Sequence, residues 1–123
     1  MSSGLLVFDD NPDVVEFIGR VAGDSDFDVF SATTPDAFWT AYGDMGAGSI
    51  VLDLELVETN GIAILKELAE RNCNAPILLI SGYHEEILRS AARLGGKDGL
   101  DMRGTLRKPF DVDDLSHQLQ NLR

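Results

Sequence analysis

Two adjacent carboxylates close one apolar run, a third carboxylate and a serine close two more, and a lysine follows a short strand-like segment. In this 123-residue chain they are Asp9 and Asp10 after Leu5-Leu6-Val7-Phe8, Asp53 after Ile50-Val51-Leu52, Ser81 after Ile77-Leu78-Leu79-Ile80, and Lys108 after Gly104-Thr105-Leu106-Arg107. Three carboxylates converging without compensation repel and raise one another's pKa values. A divalent cation resolves that repulsion, and an all-oxygen set suits Mg²⁺, which keeps several waters and takes only one or two carboxylates. A lysine and a hydroxyl opposite the carboxylates suit the oxygens of a phosphoryl group. Each residue alone has a plainer reading: turn chemistry for Asp9-Asp10-Asn11-Pro12, a helix-approach acid for Asp53, a loop start for Ser81-Gly82, and a solvated residue before a proline for Lys108. Acids, acid, hydroxyl and lysine in order at four strand ends are specific only as a set, and only if the fold brings those ends to one edge.

The pattern of elements predicts such an edge. The runs at 5–8, 50–52 and 77–80 read as strands buried on both faces. Phe27-Asp28-Val29-Phe30-Ser31-Ala32 alternates enough to be a strand nearer an edge, and residues 104–107 a short last strand. Helical patterns stand between them. Pro12 opens one with Val14, Val15, Ile18 and Val21 facing in, and Thr34-Pro35-Asp36 opens a second that carries Phe38, Trp39 and Tyr42 and stops in the glycine-rich 43–48 stretch. A third starts near Gly61 with Ile62, Leu65, Leu68 and Ala69 on one face. A fourth carries Ile87, Leu88, Ala91 and Leu94 up to Gly95-Gly96, and a last one follows Asp111 with Val112, Leu115, Leu119 and Leu122 facing in. Five strands alternating with five helices call for an α/β, doubly wound (βα)5 domain, residues 1–123, with a parallel sheet covered by helices on both faces. Ligands of such sheets bind beyond the carboxyl ends of the strands.

Composition narrows the function. The length suits one core. No apolar run approaches the ~20 residues of a membrane span, and the N-terminus lacks the basic lead of a signal peptide. The lone Cys73 cannot form an internal disulfide, which fits a reducing cytoplasm. The net charge is −11. Residues 1–60 hold twelve acids and one base, Arg20, whereas 61–123 hold nine of each, with six of the ten bases between Arg89 and Lys108. So acidic a domain repels phosphodiester backbones, which argues against nucleic acid as a direct partner and leaves the acid-rich half to a hard cation.

Phe8-Asp9-Asp10-Asn11-Pro12, Leu52-Asp53-Leu54 with Gly61 eight residues on, Ile80-Ser81-Gly82 and Leu106-Arg107-Lys108-Pro109-Phe110 together resemble the receiver domain of two-component response regulators. The resemblance covers essentially the whole chain and implies a strand order of 2-1-3-4-5. It implies that Asp53 is the phosphoacceptor, that Asp10 binds Mg²⁺ directly with Asp9 in support, and that Asp53 and the backbone carbonyl of Glu55 complete the protein's share of the metal shell. Lys108 and Ser81 would hold phosphoryl oxygens, and Lys108-Pro109 would be a cis peptide. The donor would be a phosphohistidine on a sensor histidine kinase or phosphotransfer protein. Residues 85–108 would then report phosphorylation to an effector domain, a target protein or a second copy of the chain.

Some positions depart from the family pattern. Val57 stands where a proline is common, Asn60 where an acid is common, and Thr105 in the place of the switch aromatic, whose volume a threonine cannot fill. The 95–104 connection reads as about six residues longer than the family's. Glu55 and Tyr83, two residues after Asp53 and Ser81, flank the phosphoryl site and are read as controls on water access and phosphate lifetime. His84 reads as an exposed helix-start residue. Two alternatives stand beside the receiver. One is a degenerate receiver that binds partners without being phosphorylated. The other is a small aspartate-nucleophile phosphatase of the haloacid-dehalogenase type, which needs a second acid that Glu55 supplies only loosely and a cap domain that the chain lacks.

Overall fold

The computed structural model describes residues 3–45 and 48–123. Its elements are β1 (Ser3–Phe8), α1 (Pro12–Asp24), β2 (Phe27–Ala32), α2 (Pro35–Met45), β3 (Gly48–Asp53), α3 (Gly61–Glu70), β4 (Pro76–Ser81), α4 (Glu85–Lys97), β5 (Asp101–Arg107) and α5 (Val112–Gln120). All four strand pairings are parallel, in the order β2-β1-β3-β4-β5. Fold class and strand order are thus as the sequence implied.

Side chains alternate across a strand, so each central strand feeds two cores. Leu6, Phe8, Ile50, Leu52, Ile77 and Leu79 face α2, α3 and α4, packing with Phe38, Ile64, Leu65, Leu68, Leu88 and Ala91. Leu5, Val7, Val51, Leu78 and Ile80 face α1 and α5, packing with Val15, Ile18, Ala22, Leu115 and Leu119. This double burial is why the three central strands read as continuous apolar runs. The helix starts follow their caps: Asn11 Oδ1 accepts from the Asp13 N–H at 3.0 Å, Thr34 Oγ1 from Ala37 at 3.1 Å, Asn60 Oδ1 from Ala63 at 2.8 Å and Asp111 Oδ1 from Asp114 at 2.8 Å.

Several sequence expectations need correction. The connection before the last strand is not long: α4 runs to Lys97 and β5 begins at Asp101, leaving only residues 98–100 between them. Gly95 is not a helix stop. It lets β5 approach α4, since a Cβ there would lie 2.8 Å from Met102 Sδ. β5 is longer than residues 104–107 and contains an irregularity, with Met102 opposite Ile77 but Gly104 opposite Leu78, so that Arg103 is the extra residue. On α4, Ile87 and Leu94 are about half exposed, and Gly95 joins Leu88 and Ala91 in facing inward. Val112 is likewise half exposed, and on α3 it is Ile64 that is buried, with Ile62 and Ala69 only partly so. α2 continues through Gly43 to Met45, and β1 starts two residues earlier than expected.

Gly61 fixes how α3 leaves the sheet edge. Its N–H donates to the Leu54 carbonyl at 3.1 Å, and an added Cβ would lie 2.6 Å from Leu54 Cα and 2.8 Å from the Asp53 carbonyl oxygen. Backbone cannot yield as a side-chain end can. Gly61→Ala is therefore expected to cost about 1–3 kcal/mol, read as a lower urea midpoint with an unchanged m value. A loss no larger than that of an exposed helix substitution would mean that the loop after Asp53 relaxes freely.

Candidate functional site

The register delivers four strand ends to one edge. Phe8 lies opposite Leu52, Asp53 opposite Ile80, and Ser81 opposite Arg107, so Asp9, Asp53, Ser81 and Lys108 emerge side by side. Asp9, Asp53 and Ser81 are all but fully buried, and Asp10 is half-buried. Backbone donors set the carboxylates. Asp9 Oδ1 accepts from the Asn11 N–H at 2.9 Å, and Asp53 Oδ1 accepts from the Glu55 N–H at 3.0 Å. Asp10 Oδ2 accepts from the Val57 N–H at 3.0 Å, which ties the loop after β3 to the loop after β1. The Lys108 N–H donates to the Ser81 carbonyl at 2.8 Å, and the Lys108–Pro109 peptide is cis.

Lys108 Nζ lies 2.7 Å from Asp9 Oδ2 and 3.3 Å from Asp53 Oδ2. The first contact is a close ion pair off the hydrogen-bonding direction, because the buried Asp9 Oδ2 has no hydrogen-bond partner among the described residues. Asp9, Asp10 and Asp53 each offer an oxygen within 4.8 Å of the others. One ammonium thus faces three carboxylates. Burial, reinforced by the charge of Asp9, pushes the Asp53 carboxyl up to about 7 against the lowering effect of the Glu55 N–H and Lys108. Burial pulls the Lys108 ammonium down, but its contacts with Asp9 and Asp53 outweigh it and hold its pKa above the ordinary lysine value. An excess of hard oxygen donors, balanced by a single ammonium, fits a divalent cation such as Mg²⁺.

The other expected site residues are placed less uniformly. The Ser81 Oγ–H donates to Glu55 Oε1 at 2.7 Å, and the Gly82 N–H donates to the same oxygen. The hydrogen bond from Ser81, with that from Gly82, holds the Glu55 carboxyl below its usual range. Tyr83 gives its N–H to Ser81 Oγ at 2.9 Å, while the residue as a whole is 45% exposed. Thr105 sits on β5 opposite Leu79, half-buried, and makes no side-chain hydrogen bond among the described residues. His84 caps α4 and has no site contact among the described residues. The docking of Glu55 on the end of β4 and the link between Asp10 and Val57 were not readable from the chain. Both join strand ends through register rather than spacing, and the Glu55 position beside Asp53 was their only signal.

The Asp53 carboxyl carries a sign for stability. Its folded pKa stands above its ordinary 3.8, so ionisation burdens the folded state. Stability from this group is therefore lost as pH rises from about 4 to about 7 and stays lost above that, with a ceiling on the order of 4 kcal/mol. In metal-free buffer, Asp53→Asn is expected to stabilise the fold by about 2 kcal/mol at pH 8 and by much less at pH 5, measured by urea unfolding. Equal effects at both pH values would show that the charge is not the burden.

Residues 5–120 match the sequence profile of the response regulator receiver domain. Transcriptional regulatory protein FixJ of Azorhizobium caulinodans is 30% identical over 106 residues, which cover 85% of this chain and 47% of that protein. The crystal structure of a response regulator from Colwellia psychrerythraea is similar at a TM-score of 0.83 and 27% identity, covering 99% of this chain and 97% of that one. A response regulator from Burkholderia pseudomallei, solved with a phosphorylated aspartic acid, a calcium ion and citrate, is similar at a TM-score of 0.77 and 25% identity, with 99% and 67% covered. The chain spans between 23% and 60% of the length of the curated relatives it matches. With a match this long and strand ends that carry the family's motifs, this chain belongs to the response regulator receiver domains of two-component signalling.

Proposed function

We propose that Asp53 accepts a phosphoryl group from a phosphohistidine on a sensor histidine kinase or phosphotransfer protein. The observation that carries this reading is the buried Asp53 carboxylate with Lys108 Nζ 3.3 Å away and two further acids in reach of a shared cation. An Asp53 carboxylate oxygen attacks phosphorus, an O–P bond forms, and the P–N bond to the donor imidazole breaks with its electron pair leaving on nitrogen. Asp10 and Asp53, with Asp9 in support and the backbone carbonyl of Glu55, would hold Mg²⁺. Bound there, the ion would neutralise charge on the phosphoryl oxygens.

The chain's own groups do the rest. The Glu55 N–H fixes one Asp53 oxygen and so orients the nucleophile. Lys108 stays charged and stands where a phosphoryl oxygen would develop negative charge. Ser81 has the hydroxyl to hold another. The domain is a signalling part rather than an enzyme with a separate substrate, and its donor would place it in the cytoplasm. Its output surface would be residues 85–108, where Ile87 and Leu94 are exposed on α4 among basic residues. Because Thr105 cannot fill the volume of an aromatic ring, that surface would respond through the β4–α4 junction rather than through a ring swing.

Intact mass after incubation with acetyl phosphate tests the reading. One Mg²⁺-dependent phosphoryl adduct is expected on the wild type, none on Asp53→Asn, and at least tenfold slower formation with Lys108→Ala, a loss of about 1.4 kcal/mol of transition-state stabilisation. A folded wild type that takes no phosphoryl group would overturn it.

A further inference from the structure

The Glu55 carboxylate holds two hydrogen-bond donors at the end of β4, beside the proposed phosphoryl site. Ser81 is fully buried, and its hydroxyl has a single proton to give. That proton goes to Glu55 Oε1 at 2.7 Å, while the same hydroxyl oxygen is committed as acceptor to the Tyr83 N–H at 2.9 Å. The Gly82 N–H, again a single donor, points at the same Glu55 oxygen. That oxygen sits against backbone left open by glycine, since a Cβ at residue 82 would come within 3.0 Å of it. The Glu55 backbone meanwhile grips Asp53 through its N–H at 3.0 Å. One residue therefore holds the nucleophile with its main chain and occupies the end of β4 with its side chain.

We infer that the Glu55 carboxylate is a resident anion that competes with the phosphoryl group for Ser81 Oγ–H and Gly82 N–H, and that it must be expelled before either donor can bind a phosphoryl oxygen. The inference rests on Asp53 being the phosphoacceptor. Carboxylate and phosphoryl oxygens are both anionic acceptors, and charge-assisted bonds of this kind are stronger than neutral ones. Neither donor can serve both acceptors at full strength. Expulsion therefore opposes phosphorylation, biases the unmodified domain towards its resting state, and frees the loop at the start of α4 when it occurs. Glu55 is a positioning residue in this scheme, acting on the phosphoryl site through Ser81 and Gly82.

The competition is testable with beryllium and fluoride as a phosphoryl analogue, titrated in the presence of Mg²⁺ and followed by backbone amide NMR. Glu55→Ala is expected to bind the analogue about tenfold more tightly than the wild type, equivalent to about 1.4 kcal/mol. Combined with Ser81→Ala, the gain should fall below about threefold, because one of the two contested donors is gone and only the Gly82 N–H remains. In the unliganded protein, the Gly82 amide proton should move upfield on Glu55→Ala, reporting the lost hydrogen bond. An equal gain with and without Ser81 would reduce Glu55 to a distant charge and overturn the inference, as would no gain at all. If no protein, wild type included, binds the analogue, the phosphoacceptor reading falls and takes this inference with it. Binding without coupling between Glu55 and Ser81 sinks the inference alone.

Discussion

Asp9 and Asp53 are withdrawn from water, and the one cation within ion-pair distance of them among the described residues is Lys108. Removing a carboxylate from solvent costs several kcal/mol unless it is paired and hydrogen-bonded, and here one ammonium is divided between two buried acids with a third close by. The remaining arrangement follows from managing that imbalance. Backbone N–H groups of Asn11, Glu55 and Val57 each take one carboxylate oxygen, which stabilises charge without adding a cation. What is left over is negative potential, directed at the open edge where a cation and a phosphoryl group would meet it.

Such a cluster survives because the surrounding sheet over-determines it. Leu5 to Phe8, Ile50 to Leu52 and Ile77 to Ile80 are buried on both faces and locked in parallel register, so their last residues have little freedom to separate. A slip of one residue would exchange the side chains that feed the two cores and break the packing of both. The apolar interior therefore holds the polar edge in a geometry that the polar groups alone would not choose. In this sense the stability of the fold and the chemistry of the site are separate accounts, joined only at the strand ends.

The end of β4 is where a change at Asp53 could reach the surface. Ser81 is bonded to Glu55 and Tyr83, and β4 is paired with β5, on which Thr105 sits. Without an aromatic ring there, no large side chain is available to move between buried and exposed positions. The polar contacts around Ser81 lie next to His84, where α4 begins, and that helix carries exposed apolar residues and several of the basic ones. These contacts connect the site to the start of α4 without involving residue 105.

Fold class and the polar residues that collect at one sheet edge were legible in the chain because both follow from local rules. Doubly buried strands read as unbroken apolar runs, caps and prolines mark helix starts, and three of the four polar strand ends stand directly behind those runs. Element limits near glycine were not legible. Gly95 packs against Met102 inside α4 instead of ending it, and the inserted Arg103 of β5 depends on pairing with β4. The outward turn of Ile87 and Leu94 and the inward place of Ile64 depend on which neighbouring element covers each face. The contact of Glu55 with Ser81 and Gly82 spans 26 and 27 residues, and only the parallel register of β3 with β4 brings those groups together. Sequence spacing determines which groups reach an edge, whereas register and burial decide which of them touch and how their charges are held.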